Sequence, residues 1–372
     1  MAQGFSLKDQ LFNPDTVGML GQHFEEAGVF ASAPFVDDVL AEMTPLELKA
    51  RINLITEVLG RHLSPEFPKA AEEIRRALPP PLDPTLTDDD FGHFVYAPLG
   101  VYVETHGLED HSDLSLALLE ELTQRFSMEF SIRAFLNRWP DATLTKMQGW
   151  ATHDSYHVRR LVSEGTRPKL PWGQGITIGA DKTLPLLDML YTDPTRFVTR
   201  SVANHLNDIT KSDPDAVLAR LDSWVADGQQ GAKELGWMRT HALRGLIKAG
   251  HAGAMAHLGY RADVDVAVDR FEISPQSLAI DEKAAISVEL SVPKAAPLIV
   301  DYVIDFTRPN GKVSRKVFKL KTFQAKPGAS INLSKQHRFK GGATTFTLHP
   351  GQHQISLQVN GRVLATREFT LS

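Results

Sequence analysis

His153, His157, Arg160 and Glu164 stand at i, i+4, i+7 and i+11 in the stretch WATHDSYHVRRLVSEGTRPKLPWG, residues 150–173. Wound as an α-helix over 150–164, at about 100° per residue, they form a narrow polar stripe. Ala151, Val158, Leu161 and Val162 take the opposite side. Gly165 stops the helix, because only Gly enters the left-handed cap without strain. The segment Arg167-Pro168-Lys169-Leu170-Pro171-Trp172 that follows cannot continue it. Two imidazoles, a guanidinium and a carboxylate in one line can hold an anion, share a metal or stabilise a developing cation. One such helix alone reads equally well as a solvated face with i,i+4 ion pairs. Repetition of the pattern separates the two readings.

A second stripe lies in the helix expected over 194–212, where Arg200, Asn204, Asn207, Asp208 and Lys211 oppose Val198, Val202 and Ile209. A third lies in 234–248, where Trp237, His241, Arg244 and Lys248 repeat the i, i+4, i+7, i+11 spacing opposite Met238, Ala242 and Leu246. The stripe centres, near 160, 204 and 241, are 44 and 37 residues apart. Two-helix solenoid repeats of the HEAT and armadillo type run at roughly 40–47 residues. In such arrays the second helix of each pair lines a concave surface, so the three stripes should share one groove.

The residues exclude several chemistries. His153-Asp154-Ser155-Tyr156-His157 resembles the H-E-x-x-H zinc helix, but Asp154 replaces the catalytic Glu and no third ligand is evident nearby. The 173–179 loop contains G-x-G without Gly-Lys-Ser/Thr, so it is no Walker loop, and no G-x-S-x-G elbow occurs. With no cysteine there is neither a thiolate nucleophile nor a thiolate metal site. No metal and no cofactor are expected. What remains is a basic groove that also holds Glu164, Asp208 and Glu129, with Trp172 beside it. Carboxylates repel phosphate, so a groove that merely binds a polyanion has no use for them. They become useful where positive charge develops, as at the oxocarbenium-like sugar of a breaking glycosidic bond. An alkylated purine already carries positive charge and leaves without a general acid.

Other elements must position these groups. Residues 1–120 read as helices, over 15–26 and 35–42 and from Thr44 onward, where Thr44 and Glu47 have capping-box spacing. Pro79-Pro80-Pro81 and the acidic 83–90 then form a linker. Helices follow over 116–126 and 129–139, the latter with Glu129 and Arg133 one turn apart as an ion pair, and then 184–191. Past 259 the period changes from 3.6 to 2. Strands are expected over 264–268, 285–290, 298–304, 313–321, 344–348, 353–359 and 362–370, with turns at Pro309-Asn310-Gly311, Pro327-Gly328, Lys340-Gly341-Gly342, Pro350-Gly351 and Asn360-Gly361. The fold class is therefore multidomain: an all-α HEAT-like repeat solenoid over 1–262, then an all-β immunoglobulin-like sandwich over 263–372.

Charge is unevenly spread. Residues 1–120 carry 7 Lys+Arg against 21 Asp+Glu, residues 121–264 carry 18 against 15, and residues 265–372 carry 15 against 9. A polyanion would be repelled by the first third and tolerated by the rest. The N-terminal MAQGFSLKDQLFNPDT lacks the apolar region of a signal peptide and no run approaches 18 apolar residues, so a cytoplasmic protein with no membrane partner is expected.

The runs FSMEFSIRAFL, HVRRLVSEGTRPKLPW and SVANHLNDITK, in a helical array ending in a β-sandwich, resemble the AlkC branch of the HEAT-like-repeat DNA alkylation-repair glycosylases. The resemblance implies excision of N3-alkylated bases, mainly 3-methyladenine and also 3-methylcytosine, from double-stranded DNA. It implies a monofunctional mechanism without metal or cofactor, in which the base is not extruded into a pocket, and an appended domain that helps encircle the DNA. It places Glu164 and Asp208 near the lesion's deoxyribose, with Glu129 in support and Trp172 against the sugar-phosphate. His157 is expected beside the substrate. Arg159, Arg160, Arg167, Lys169, Arg200, Asn204, Lys211, His241, Arg244 and Lys248 are expected at the DNA backbone. A monomer is expected. The alternative is a non-catalytic HEAT and immunoglobulin-like scaffold that binds nucleic acid or protein.

Overall fold

The computed structural model describes residues 6–88, 90–342 and 346–372. Two compact units are present: Met1–Ser212 with Ser223–Ala242, and Asp213–Asp222 with Leu243–Ser372. The architecture is a HEAT-like helical array followed by an immunoglobulin-like sandwich. Among the described residues no helix is long and apolar enough to cross a membrane.

In the first unit, each of the helices Pro14–Glu26, Ser32–Met43, Leu48–His62, Ala97–Gly107 and Ser112–Thr123 packs against the next. Asn13 caps the first of these through a capping box. The capping box expected at Thr44 is absent. Thr44 ends the preceding helix and the next begins at Leu48. The buried Arg51 guanidinium accounts for the difference, since it donates to the carbonyls of Leu46 and Thr44 and of Lys8 and Phe12, holding 44–46 as a turn.

The three stripe helices do pack side by side: Tyr156–Gly165 against Arg196–Ile209, and Arg196–Ile209 against Ala232–Ala242. Two of their boundaries differ from expectation. Residues 151–155 form a turn rather than the first turn of the helix, because the Ser155 N–H donates to His153 Nδ1 at 3.0 Å and Arg159 Nη1 holds the carbonyls of His153 and Asp154. His153 and His157 therefore do not share a helix. The helix expected over 234–248 breaks at Leu243 into Ala232–Ala242 and Arg244–Ala249, so Arg244 and Lys248 belong to a separate short helix in the second unit.

Among the described residues of the second unit eight strands form two sheets. The strands are β1 Ala267–Ser274, β2 Ser277–Leu278, β3 Lys283–Val292, β4 Ala296–Thr307, β5 Val313–Ala325, β6 Ala329–Arg338, β7 Gly351–Val359 and β8 Arg362–Leu371. One sheet runs β1-β3-β6, the other β2-β8-β7-β4-β5. Alternating side chains of β3 (Ala284, Ile286, Val288, Leu290, Val292) meet Val300, Tyr302, Ile304, Ile355 and Leu357 in one core. Sequence periodicity missed β6, whose Ile331 and Leu333 are its only aliphatic pair in an otherwise polar strand. It also placed β1 three residues early. Part of the strand expected over 344–348 lies outside the described residues, and 347–350 are not in a strand.

The boundary expected at 262/263 falls inside this second unit, since helical residues 243–262 group with the strands. Backbone contact explains it. Gly250 (φ 73) ends the Arg244–Ala249 helix, and Gly361 (φ 81) makes the β7–β8 turn. A Cβ on Gly250 would lie 2.6 Å from the Gly361 carbonyl, so both positions demand Gly. Asn360 adds hydrogen bonds from its Nδ2 to the carbonyls of Arg261 and Pro297.

Candidate active site

The helices Tyr156–Gly165 and Arg196–Ile209 each deliver one carboxylate to a buried ionic chain. Arg167, just past Gly165, joins them: its Nη1 lies 2.5 Å from Glu164 Oε1 and its Nη2 2.8 Å from Asp208 Oδ2. Arg160 extends the chain to the other side, 3.8 Å from Glu164 and 2.9 Å from Glu129. Lys211 closes it, with Nζ 2.8 Å from Asp208 Oδ1. Ser201 donates to Glu164 Oε2 at 2.6 Å, and Ser127 to Glu129 at 2.9 Å. Glu164 and Asp208 side chains are only 7% and 5% exposed, which is unusual for carboxylates and tolerable because every one is paired. Burial opposes the charge on Glu164. The Arg160 and Arg167 guanidiniums and the Ser201 hydroxyl outweigh it and hold the carboxyl below the ordinary range. The site thus keeps an ionised carboxylate in a low-dielectric setting, where its field on a nearby cation is strong.

A second device holds the loop after Gly165. The fully buried Arg133 was expected to pair with Glu129. Instead Glu129 pairs with Arg160, and Arg133 donates to three loop carbonyls, Gln174 at 2.5 Å, Gly165 at 2.9 Å and Arg167 at 2.8 Å. Lys49 Nζ donates to the Trp172 carbonyl at 2.7 Å. Between these clamps Trp172 sits at φ 66 with its side chain 59% exposed. A non-glycine residue in the left-handed region costs roughly 1–2 kcal/mol, so the surrounding hydrogen bonds hold a strained residue with its indole presented to solvent.

The other expected site residues fall into three groups. His157 is buried against Tyr156 and Phe197, and burial pushes its imidazole down to about 4, so it is neutral at physiological pH. Arg159, Arg160, Arg167 and Arg200 are held by Asp193, Glu129 with Glu164, Glu164 with Asp208, and Asp88 respectively. These guanidiniums are not a bare phosphate-binding row. Lys169 is exposed beside the loop, and Asn204 meets His241 across neighbouring helices at 2.9 Å. Arg244 and Lys248 lie past the break at Leu243, on the Arg244–Ala249 helix.

Sequence reasoning missed Ser201, Lys49 and Glu104, and gave Arg133 a different partner. Ser201 was findable, because it stands two turns before Asp208 on the same face. The others carry no local signal. Glu104 lines a 430 Å³ cavity with Lys49, Asn53, Phe130 and Trp172, and burial pushes its carboxyl up to about 7. A smaller cavity of 160 Å³ lies among Phe91, Ser127, Glu129, His157, Arg160 and Phe197, directly at the ionic chain.

The chain is similar to known proteins in sequence and fold. Residues 267–372 match the family described as "Uncharacterised protein YhaZ, C-terminal Ig-like domain". The chain is 29% identical to "Uncharacterized protein YhaZ" of Bacillus subtilis (strain 168) over 367 residues, 97% of this chain and 98% of that protein. It is also similar, at 31% identity and a TM-score of 0.87, to Pseudomonas fluorescens alkylpurine DNA glycosylase AlkC, solved bound to DNA containing an abasic site analog. That match covers 99% of this chain and 100% of the other. Related along its full length in both sequence and fold, the chain belongs to the AlkC family.

Proposed function

We propose that this chain is a DNA alkylation-repair glycosylase, monofunctional and free of metal and cofactor, that excises N3-alkylated bases such as 3-methyladenine and 3-methylcytosine from double-stranded DNA. The observation that carries the reading is the buried chain Glu129–Arg160–Glu164–Arg167–Asp208. Three carboxylates with so little exposure serve no purpose in a surface that only holds phosphate. They suit a reaction whose transition state gains positive charge.

In this mechanism the C1′–N bond breaks with its electron pair going to the alkylated base. The base was cationic and leaves neutral, so no acid is needed. The sugar is left as an oxocarbenium-like cation facing Glu164 and Asp208. Water adds to C1′, and its proton passes to one of these carboxylates. Glu129 keeps Arg160 in place, Trp172 packs against the sugar-phosphate, and His157 lines the site as a neutral ring. Lys169 and Lys211, with Arg159, Arg160, Arg167, Arg200, Asn204 and His241, serve the DNA backbone, and Arg244 and Lys248 serve it from the second unit. Phosphate must then share or displace the carboxylate partners of the arginines. The protein acts as a cytoplasmic monomer.

The test is release of methylated bases from alkylated duplex DNA by wild type, Glu164→Gln and Asp208→Asn. Release of 3-methyladenine by the wild type should fall by about 10²-fold or more in either variant while the folded variants still bind duplex; each should melt lower, having lost a charge from a buried ionic group. Binding without any release by the wild type would overturn the enzyme reading and leave a scaffold.

A further inference from the structure

Thr87, Asp88 and Phe91 lie against the start of the Arg196–Ile209 helix. Their segment is pinned at both ends: the Leu82 N–H donates to the Gln124 carbonyl at 2.9 Å, and Gly92 bridges Phe126. Between the pins it carries Asp83, Asp88 and Asp90. The Phe197 N–H, in the first helical turn, donates to the Thr87 carbonyl at 3.0 Å. One turn on, Arg200 meets both oxygens of Asp88, Nη2 to Oδ1 at 2.5 Å and Nη1 to Oδ2 at 3.2 Å. This two-pronged grip is also the one an arginine uses on phosphate. Phe91, 53% exposed, stands edge-on to Phe197 at 5.2 Å and lines the small cavity beside Glu129 and Arg160. The charges reach deeper as well. Tyr156 is pushed up to about 12, first by burial and then by Asp90, Asp83 and Asp88.

We propose that Asp88 is a specificity-determining residue: its strap occupies Arg200 as an intramolecular stand-in for a DNA phosphate, so that ordinary duplex binds weakly and is released quickly. The inference rests on the reading of this helix as a DNA face. A glycosylase that surveys a large excess of undamaged DNA gains from such a competitor, because non-specific affinity is almost wholly electrostatic. Displacing Asp88 costs its ion pair with Arg200 and places phosphate beside acidic residues. Only DNA whose remaining contacts offset both stays bound.

The experiment measures anisotropy of a fluorescein-labelled undamaged duplex with the full chain across a salt series. Asp88→Asn should tighten binding by roughly three- to tenfold and steepen the salt slope by about 0.9, the value for one added phosphate contact. The gain should vanish when Arg200→Gln is combined with Asp88→Asn, measured against Arg200→Gln alone. Asp88→Glu, which keeps the charge, should retain the weak binding of the wild type. Unchanged or weaker binding by Asp88→Asn, or a gain that persists without Arg200, overturns the proposal. A wild type that releases no alkylated base but shows the Arg200-dependent gain would overturn the glycosylase reading and leave the strap standing.

Discussion

Replacing Arg167 by Met tests whether the two central carboxylates are held by one guanidinium. Arg167 is 12% exposed and touches partners that are 7% and 5% exposed, Glu164 and Asp208. At an effective dielectric of about 20, each contact is worth about 4 kcal/mol of Coulomb attraction before desolvation. Removing one member of a buried ionic group typically costs about 3–5 kcal/mol, mostly because the partners stay buried without it. Two compensations pull this toward the lower end. Arg160 remains 3.8 Å from Glu164, and Lys211, itself 59% exposed, remains 2.8 Å from Asp208. We expect a loss of about 3 kcal/mol in urea unfolding followed by tryptophan fluorescence. Arg167→Lys, a point charge unable to bridge both carboxylates, should lose about half as much. The pH profile gives an independent readout. In the wild type the lowered carboxyl of Glu164 contributes stability that is present above its unfolded value and is lost as pH falls through the folded one. Without Arg167, burial is opposed by Arg160 and Ser201 alone, so the folded value rises. The acid limb of both stability and base release must move toward neutral pH. A loss below about 1 kcal/mol together with an unmoved acid limb would refute the argument.

Two further expectations concern the loop and the large cavity. Trp172→Gly should leave stability within about 1 kcal/mol of wild type, since Gly relieves the left-handed strain at φ 66, while base release falls; a large unfolding penalty would mean that the indole packs in the core instead of serving substrate. Glu104 has a folded value raised to about 7 by burial, so its ionisation costs stability as pH rises from the unfolded value through about 7. Glu104→Gln should therefore be near neutral at about pH 5 and stabilise by on the order of 1–2 kcal/mol at about pH 8, read from melting curves at the two pH values; equal effects at both would contradict the assignment.

Much of this protein is written in local pattern. The change of period from 3.6 to 2 is a property of neighbouring residues, and so is the spacing of the stripes, so the helical array and the sandwich are legible without coordinates. Glu164 and Asp208 were legible for the same reason, being polar residues on otherwise apolar-backed helices. The partners they would take were not. Arg133 sits one turn from Glu129 in sequence, yet it grips the carbonyls of Gly165, Arg167 and Gln174, while Glu129 turns to Arg160 some thirty residues away. A long guanidinium reaches whatever the fold places within several ångströms, and periodicity says nothing about that neighbourhood. The same limit hid β6, where cross-strand hydrogen bonds to β3 define a strand that its own side chains barely mark. It also hid the break in the third helix at Leu243, which is fully buried. The sequence by itself determined which elements form and which faces are polar, because those follow from bonds and contacts a few residues apart. Tertiary structure alone decided that the arginines of the stripes are bound to carboxylates and that an acidic linker lies on Arg200, because ion pairing depends on distances between chain segments that only folding fixes.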